Sequence, residues 1–149
     1  MKIYADTSFL VSLLYPGDKK HGAAFAFFAQ RQGEEWQTTE WSVFETLNTL
    51  RQLCLPQPGA QPHAIEAIRR LFKHWHRNGA FTRTEVDLPA ALAEAQQLSA
   101  AHGNSLRMRS ADVLHVAMMG ELNPDLFITR DKDQHALAVA AGVNSVLLP

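Results

Sequence analysis

Apolar positions follow two rhythms along this chain, and the changes of rhythm mark out its elements. KIYAD carries a short unbroken apolar run, the pattern of a buried strand. SFLVSLLYPG turns to helical spacing and stops at Pro16-Gly17. Residues 18–31 place Phe25 and Phe28 on one helical face, and EWQTT predicts a second strand. In EWSVFETLNTLRQLC, Val43, Leu47, Leu50 and Cys54 recur as they would along a helix. LPQPGAQP, with three prolines and a glycine, is the clearest break, and it joins two helices, since neither side alone is long enough to bury a core.

Beyond that break, HAIEAIRRLFKHWHRNG predicts an amphipathic helix closed by Gly79. FTRTEVD alternates as a strand. LPAALAEAQQLSAAHG predicts a helix with Pro89 in its first turn and Gly103 as its stop. SADVLHVAMMGEL predicts one further helix with Ser110 as its N-cap. DLFIT, DQHALAVAAG and VNSVLLP then read as strand, helix and strand. Strands separated by helices predict an α/β domain with a mostly parallel sheet, and 149 residues predict one domain over 1–149.

Composition adds boundaries rather than content. Hydrophobic residues make up 46% and charged residues 19%, an ordinary globular balance. Fourteen Lys and Arg against fifteen Asp and Glu leave a net charge of −1, so no overall basic field points to a polyanion, although local patches remain open. The single Cys54 excludes an internal disulfide and a Cys-rich zinc site, which fits a reducing cytoplasm. The first apolar run lies after Asp6 and lacks a small-residue cleavage site, so it predicts no signal peptide, and no stretch is long enough to span a membrane.

The acids change the picture. In open parallel sheets, ligands bind beyond the carboxyl ends of the strands. Asp6 follows the first strand and Asp131 follows DLFIT, so both can face one crevice. Glu45, on a partly polar helical stripe with Asn48 and Thr49, and Asp112, near a helix start, are candidates to join them. Clustered carboxylates repel unless a cation is present, and a hard ion such as Mg²⁺ or Mn²⁺ suits an all-oxygen site. Each acid also has a plainer role: Asp6 as a helix cap, Asp112 as a partner of the helix dipole, Glu45 as a solvated residue, and Asp131 and Asp133 as loop or capping acids.

DTSFLVSLL, FETLN, SADVLHVA and FITRDKD, taken in this order, resemble the PIN-domain ribonucleases, most closely the VapC-type toxins of toxin–antitoxin pairs. The resemblance implies a PIN-like three-layer domain with its central sheet flanked by helices. It further implies an acidic metal site of Asp6, Glu45, Asp112 and Asp131, with Ser8 and Thr129 as polar supports and Asp133 as a possible fifth acid. Glu40 competes for the helical glutamate role, and the E-x-L-N context favours Glu45. Dependence on Mg²⁺ or Mn²⁺, a homodimer, a small antitoxin partner and an RNA substrate follow from the same resemblance. Arg107, Arg109, Arg130 and Lys132 flank Asp112 and Asp131 and are candidates for RNA phosphate contacts.

Several alternatives stay open in the sequence. A PIN-fold binding protein without activity and a nuclease acting on DNA both keep these acids. A haloacid-dehalogenase-type phosphatase needs a second Asp two residues after the first, where this chain has Ser8. His74 and His76 diverge on a helix and predict no shared metal ion. His115 can approach Asp112, with helix packing as its expected role. Phe25, Phe27 and Phe28 are expected in the core or on a surface met by an antitoxin helix, and Trp75 in packing or at an interface.

Overall fold

A computed structural model describes residues 1–53 and 62–149. Cys54 and all of the Pro-rich break except Pro62 lie outside the described residues. Among the described residues five strands form one sheet: β1 (Lys2–Ala5), β2 (Glu35–Thr38), β3 (Thr82–Arg83), β4 (Leu126–Thr129) and β5 (Ser145–Leu147), in the spatial order β3-β2-β1-β4-β5. Every pairing is parallel. Among the described residues, helices α1 (Thr7–Leu14) and α2 (His21–Ala29) connect β1 to β2. Helices α3 (Glu40–Leu53) and α4 (Pro62–Arg77) lead to β3, and α5 (Leu88–His102), α6 (Ser110–Ala117) and α7 (Met119–Leu122) lead back to β4. The last helix, α8 (Lys132–Ala140), joins β4 to β5. No described helix is long and apolar enough to cross a membrane.

β1 and β4 are buried on both faces because their alternate side chains feed two separate cores, whereas β3 at the edge is exposed and β5 half-buried. Ile3 and Ala5 of β1, Trp36 of β2, and Leu126 and Ile128 of β4 pack with α1, α2, α3 and α4. Tyr4 and Phe127 point the opposite way and pack with α5, α6, α7 and α8. That period-two division produces three layers from one sheet. In the first core, Phe28 and Phe81 stack with their centroids 5.5 Å apart, Trp75 stacks on both, and Trp36 meets Phe28 at a tilt and Phe81 edge-on. Phe27 is half-buried under the Arg31 guanidinium, and only Phe25 of the three phenylalanines is exposed. The aromatic stretch of α2 is therefore mainly core. His74 pairs with Asn78, whereas His76 meets Thr38, and the two imidazoles share nothing.

Three local expectations change. The alternating stretch FTRTEVD pairs with β2 only at Thr82 and Arg83, plus one bond from Thr84 N–H to the Thr38 carbonyl. It lies at the sheet edge, and Val86 leaves it to pack on the second core while Asp87 caps α5 by accepting from Ala90 N–H. The helix expected over 110–122 breaks at Met118 into α6 and α7, and Asn123 ends it with a left-handed φ of 40°. Ser110 is not a cap: Arg109 holds the N-cap position, in extended backbone and without a capping side chain.

Candidate active site

The sheet order reverses between β1 and β4, so the connections leave their carboxyl ends on opposite faces of the sheet and open a crevice there. A cleft of about 440 Å³ lies at that place, and Asp6, Glu45, Asp112 and Asp131 all line it. Four distant stretches of chain thus supply carboxylates to one opening. Glu40 is elsewhere, with its carboxylate accepting from Arg83 at 2.8 Å, which removes it as the helical glutamate of the cleft.

Asp6 sits at the end of β1, where its backbone N–H still donates to the Ile128 carbonyl across the sheet. It is only 3% exposed. Its carboxylate caps α1 by accepting from Phe9 N–H at 2.8 Å, and it accepts from the Ser8 hydroxyl at 2.8–2.9 Å and from the Thr129 hydroxyl at 2.9 Å. Capping and site-building are therefore one arrangement here. Burial pushes the Asp6 carboxyl above its ordinary range, while charge on His115 and these donors act against it. Thr129 has a single proton and lies within reach of both Asp6 and Gln134 Oε1.

Glu45 projects from α3 into a second network. Its Oε2 accepts from the Thr7 hydroxyl at 2.5 Å and lies 2.8 Å from His115 Nε2. A carboxylate only accepts, so Nε2 is the donor, and in the neutral ring Nδ1 accepts from the Tyr4 hydroxyl at 2.8 Å. His115 is 1% exposed, so it packs as a helix residue should and also orients Glu45. Burial pushes the Glu45 carboxyl up, yet His115, Thr7 and the charge of Arg109 outweigh it and hold the group below its usual range. Sequence reasoning missed Thr7 and Tyr4. The signal for Thr7 was its place between Asp6 and Ser8, whereas nothing local marks Tyr4, which looks like any aromatic strand residue.

Asp112 occupies the first turn of α6, and Asp131 caps α8 by accepting from the Asp133 and Gln134 N–H groups at 2.9 and 3.1 Å. One guanidinium bridges the two acids. Arg109 donates from Nε to Asp112 Oδ2 at 2.9 Å and from Nη2 to Asp131 Oδ2 at 2.7 Å. Arg130 also lines the cleft, but its guanidinium is drawn to Asp18 at 2.8 Å and to the Ser12 hydroxyl, while its N–H donates to Ser8. Lys132 and Asp133 are exposed at the start of α8, and Asp133 shares a small side opening with Arg107, Arg109 and Asp112.

The donor set is all oxygen, negative and partly withdrawn from water, which suits a hard divalent cation. The bridging of Asp112 and Asp131 by a cationic side chain shows that this part of the cleft favours positive charge. As they stand, no three acidic, histidine or cysteine side chains among the described residues form a closed metal shell.

Residues 3–140 match the model of the family described as PIN domain. No curated protein matches the chain in sequence. Among solved structures, the fold is similar to the VapC20 toxin of Mycobacterium tuberculosis, described as cleaving the sarcin–ricin loop, with a TM-score of 0.71 and 21% identity over 97% of this chain and 98% of that one. It is also similar to VapBC2 of Rickettsia felis bound to a promoter DNA fragment, with a TM-score of 0.67 and 8% identity over 100% of both chains. FitAcB of Neisseria gonorrhoeae aligns with a TM-score of 0.62 and 17% identity over 96% of this chain and 95% of its own.

Proposed function

The chain belongs to the PIN-domain family, and from that premise and the chemistry of the cleft we propose that it is a divalent-metal-dependent endoribonuclease, the toxin of a toxin–antitoxin pair. The observation that carries this proposal is the meeting of Asp6, Glu45, Asp112 and Asp131 in one cleft at the β1/β4 carboxyl ends. The reaction is hydrolysis of an RNA phosphodiester by water. Asp6, Asp112 and Asp131 would hold Mg²⁺ or Mn²⁺, with Glu45 as a further ligand or as the base that orients the water. When bound, the ion lowers the pKa of water and neutralises charge that develops on phosphorus-bound oxygens.

The chain's own residues supply orientation. Ser8 and Thr129 fix the Asp6 carboxylate, and Thr7 and His115 fix that of Glu45, so neither acid needs to find its position when substrate arrives. Arg107, Arg109 and Lys132 are exposed around the acids and offer phosphate contacts, a role that Arg130 shares less readily because Asp18 already pairs with it. RNA as substrate is supported by the likeness to the sarcin–ricin loop cleaving toxin of M. tuberculosis, and a small antitoxin partner by the likeness to VapBC-5 of M. tuberculosis, a member of the VapBC family of toxin–antitoxin systems. A homodimer is proposed on the family resemblance alone.

Incubating the purified protein with total RNA and with duplex and single-stranded DNA, in Mg²⁺, Mn²⁺ or EDTA, tests this. Metal-dependent RNA ends of defined sequence, absent with Asp112→Asn, are expected. Cleavage of DNA alone would replace RNA by DNA as the substrate, and no cleavage of either would leave the non-catalytic binding protein.

A further inference from the structure

We infer that Arg109 is an internal counter-cation, one that a divalent metal ion displaces in order to gain Asp112 and Asp131 together. The inference rests on the metal site proposed above and specifies what occupies its ligands beforehand. Arg109 is pinned by its place at the start of α6, three residues before Asp112, and its guanidinium spans to Asp131 across the cleft. Two nitrogens of one planar group engage one oxygen of each acid, so the side chain stands where two carboxylates converge. The acids are enclosed, with their side chains 13% and 24% exposed, whereas Arg109 is 75% exposed and free to swing outward.

An arginine keeps its charge throughout the ordinary pH range, so Arg109 leaves by moving and not by losing its charge. Ion pairs held by an exposed arginine are weak, so displacing the two of them costs the metal no more than about thirtyfold in affinity. Once released, the same two-pronged donor remains at the cleft mouth, where its geometry suits a phosphodiester.

Titrating Mn²⁺ into the whole protein without RNA, by calorimetry, tests this with wild type, Arg109→Ala, Arg109→Lys and Asp112→Asn. Both Arg109 variants should bind Mn²⁺ about three- to tenfold more tightly than wild type, because an ammonium carries the charge but cannot span both carboxylates. Asp112→Asn should bind it weakly. Equal Kd values for wild type and both Arg109 variants, or weaker binding by the variants, overturn the role of Arg109 while the metal site stands. Tightening in Arg109→Ala alone also overturns it, since loss of charge and not loss of the bridge would then be the cause. No Mn²⁺ binding by any form overturns the metal site and this inference together.

Discussion

At Asp6 a helix cap and a cleft carboxylate are the same side chain, and the two roles do not compete. The cap bond uses Phe9 N–H, the hydroxyls of Ser8 and Thr129 steady the remaining lone pairs, and burial alone raises the cost of charge. Asp112 has a lighter structural duty, since its carboxylate engages only an exposed arginine. Asp112→Asn is therefore expected to lower RNA cleavage by at least about a hundredfold, beyond the range seen for groups that merely support a metal ligand, while circular dichroism and the melting temperature stay close to wild type. Glu45 carries a pH signature. Its folded pKa lies below the ordinary value, so it contributes stability that is present above the usual carboxylate range and lost as pH falls through the depressed value. Glu45→Gln should therefore lose less stability than wild type on acidification, measured as the change in urea midpoint between about pH 6 and about pH 3.

Among the elements, strand ends and helix starts do the positioning. β1 delivers Asp6, β4 delivers Thr129 and then Asp131, and α6 carries Asp112 and His115 on adjoining faces one turn apart. Thr129 is fully buried and touches Asp6, Gln134 and the Asp131 N–H. Thr129→Val keeps the shape of the side chain but removes the hydroxyl, and it should cost about 10–100-fold in metal affinity or activity, read by Mn²⁺ titration beside an RNA cleavage assay. At the end of α4, Gly79 adopts φ +75° with open space around it. Gly79→Ala meets no neighbour, so its cost is the left-handed backbone alone, about 1–2 kcal/mol, visible in chemical denaturation and without effect on cleavage per folded molecule.

On the scale of the whole molecule, the reversal of strand order is what makes a site. The two cores on opposite sides of the sheet hold α1 and α3 against one face and α6 and α8 against the other, so residues 6, 45, 112 and 131 meet at its rim. A metal ion that binds only this assembled arrangement stabilises the fold by mass action. Mn²⁺ at about a hundred times its Kd should add about 2.7 kcal/mol, which corresponds to a rise of about 5–10 °C in melting temperature for a chain of this size. EDTA should reverse the rise, and Asp112→Asn should abolish most of it in a thermal-shift measurement.

The sequence by itself determined the alternation of strands and helices, because buried parallel strands and amphipathic helices write their periods into the order of apolar residues. It also marked Asp6 and Asp131 as crevice candidates, since acids within a few residues of the end of an apolar run lie near strand ends. Tertiary structure alone decided the rest. The short pairing of β3 depends on its place at the sheet edge, and the break at Met118 falls inside the second core, where Val116, Met118, Met119 and Leu122 are all buried. Thr7 and His115 become partners of Glu45, Tyr4 the partner of His115, and Arg109 the bridge between Asp112 and Asp131, only when segments separated by up to 111 residues are brought together. Hydrogen bonds and ion pairs of that span leave no periodic trace, because their geometry is set by how the layers pack and not by neighbours along the chain.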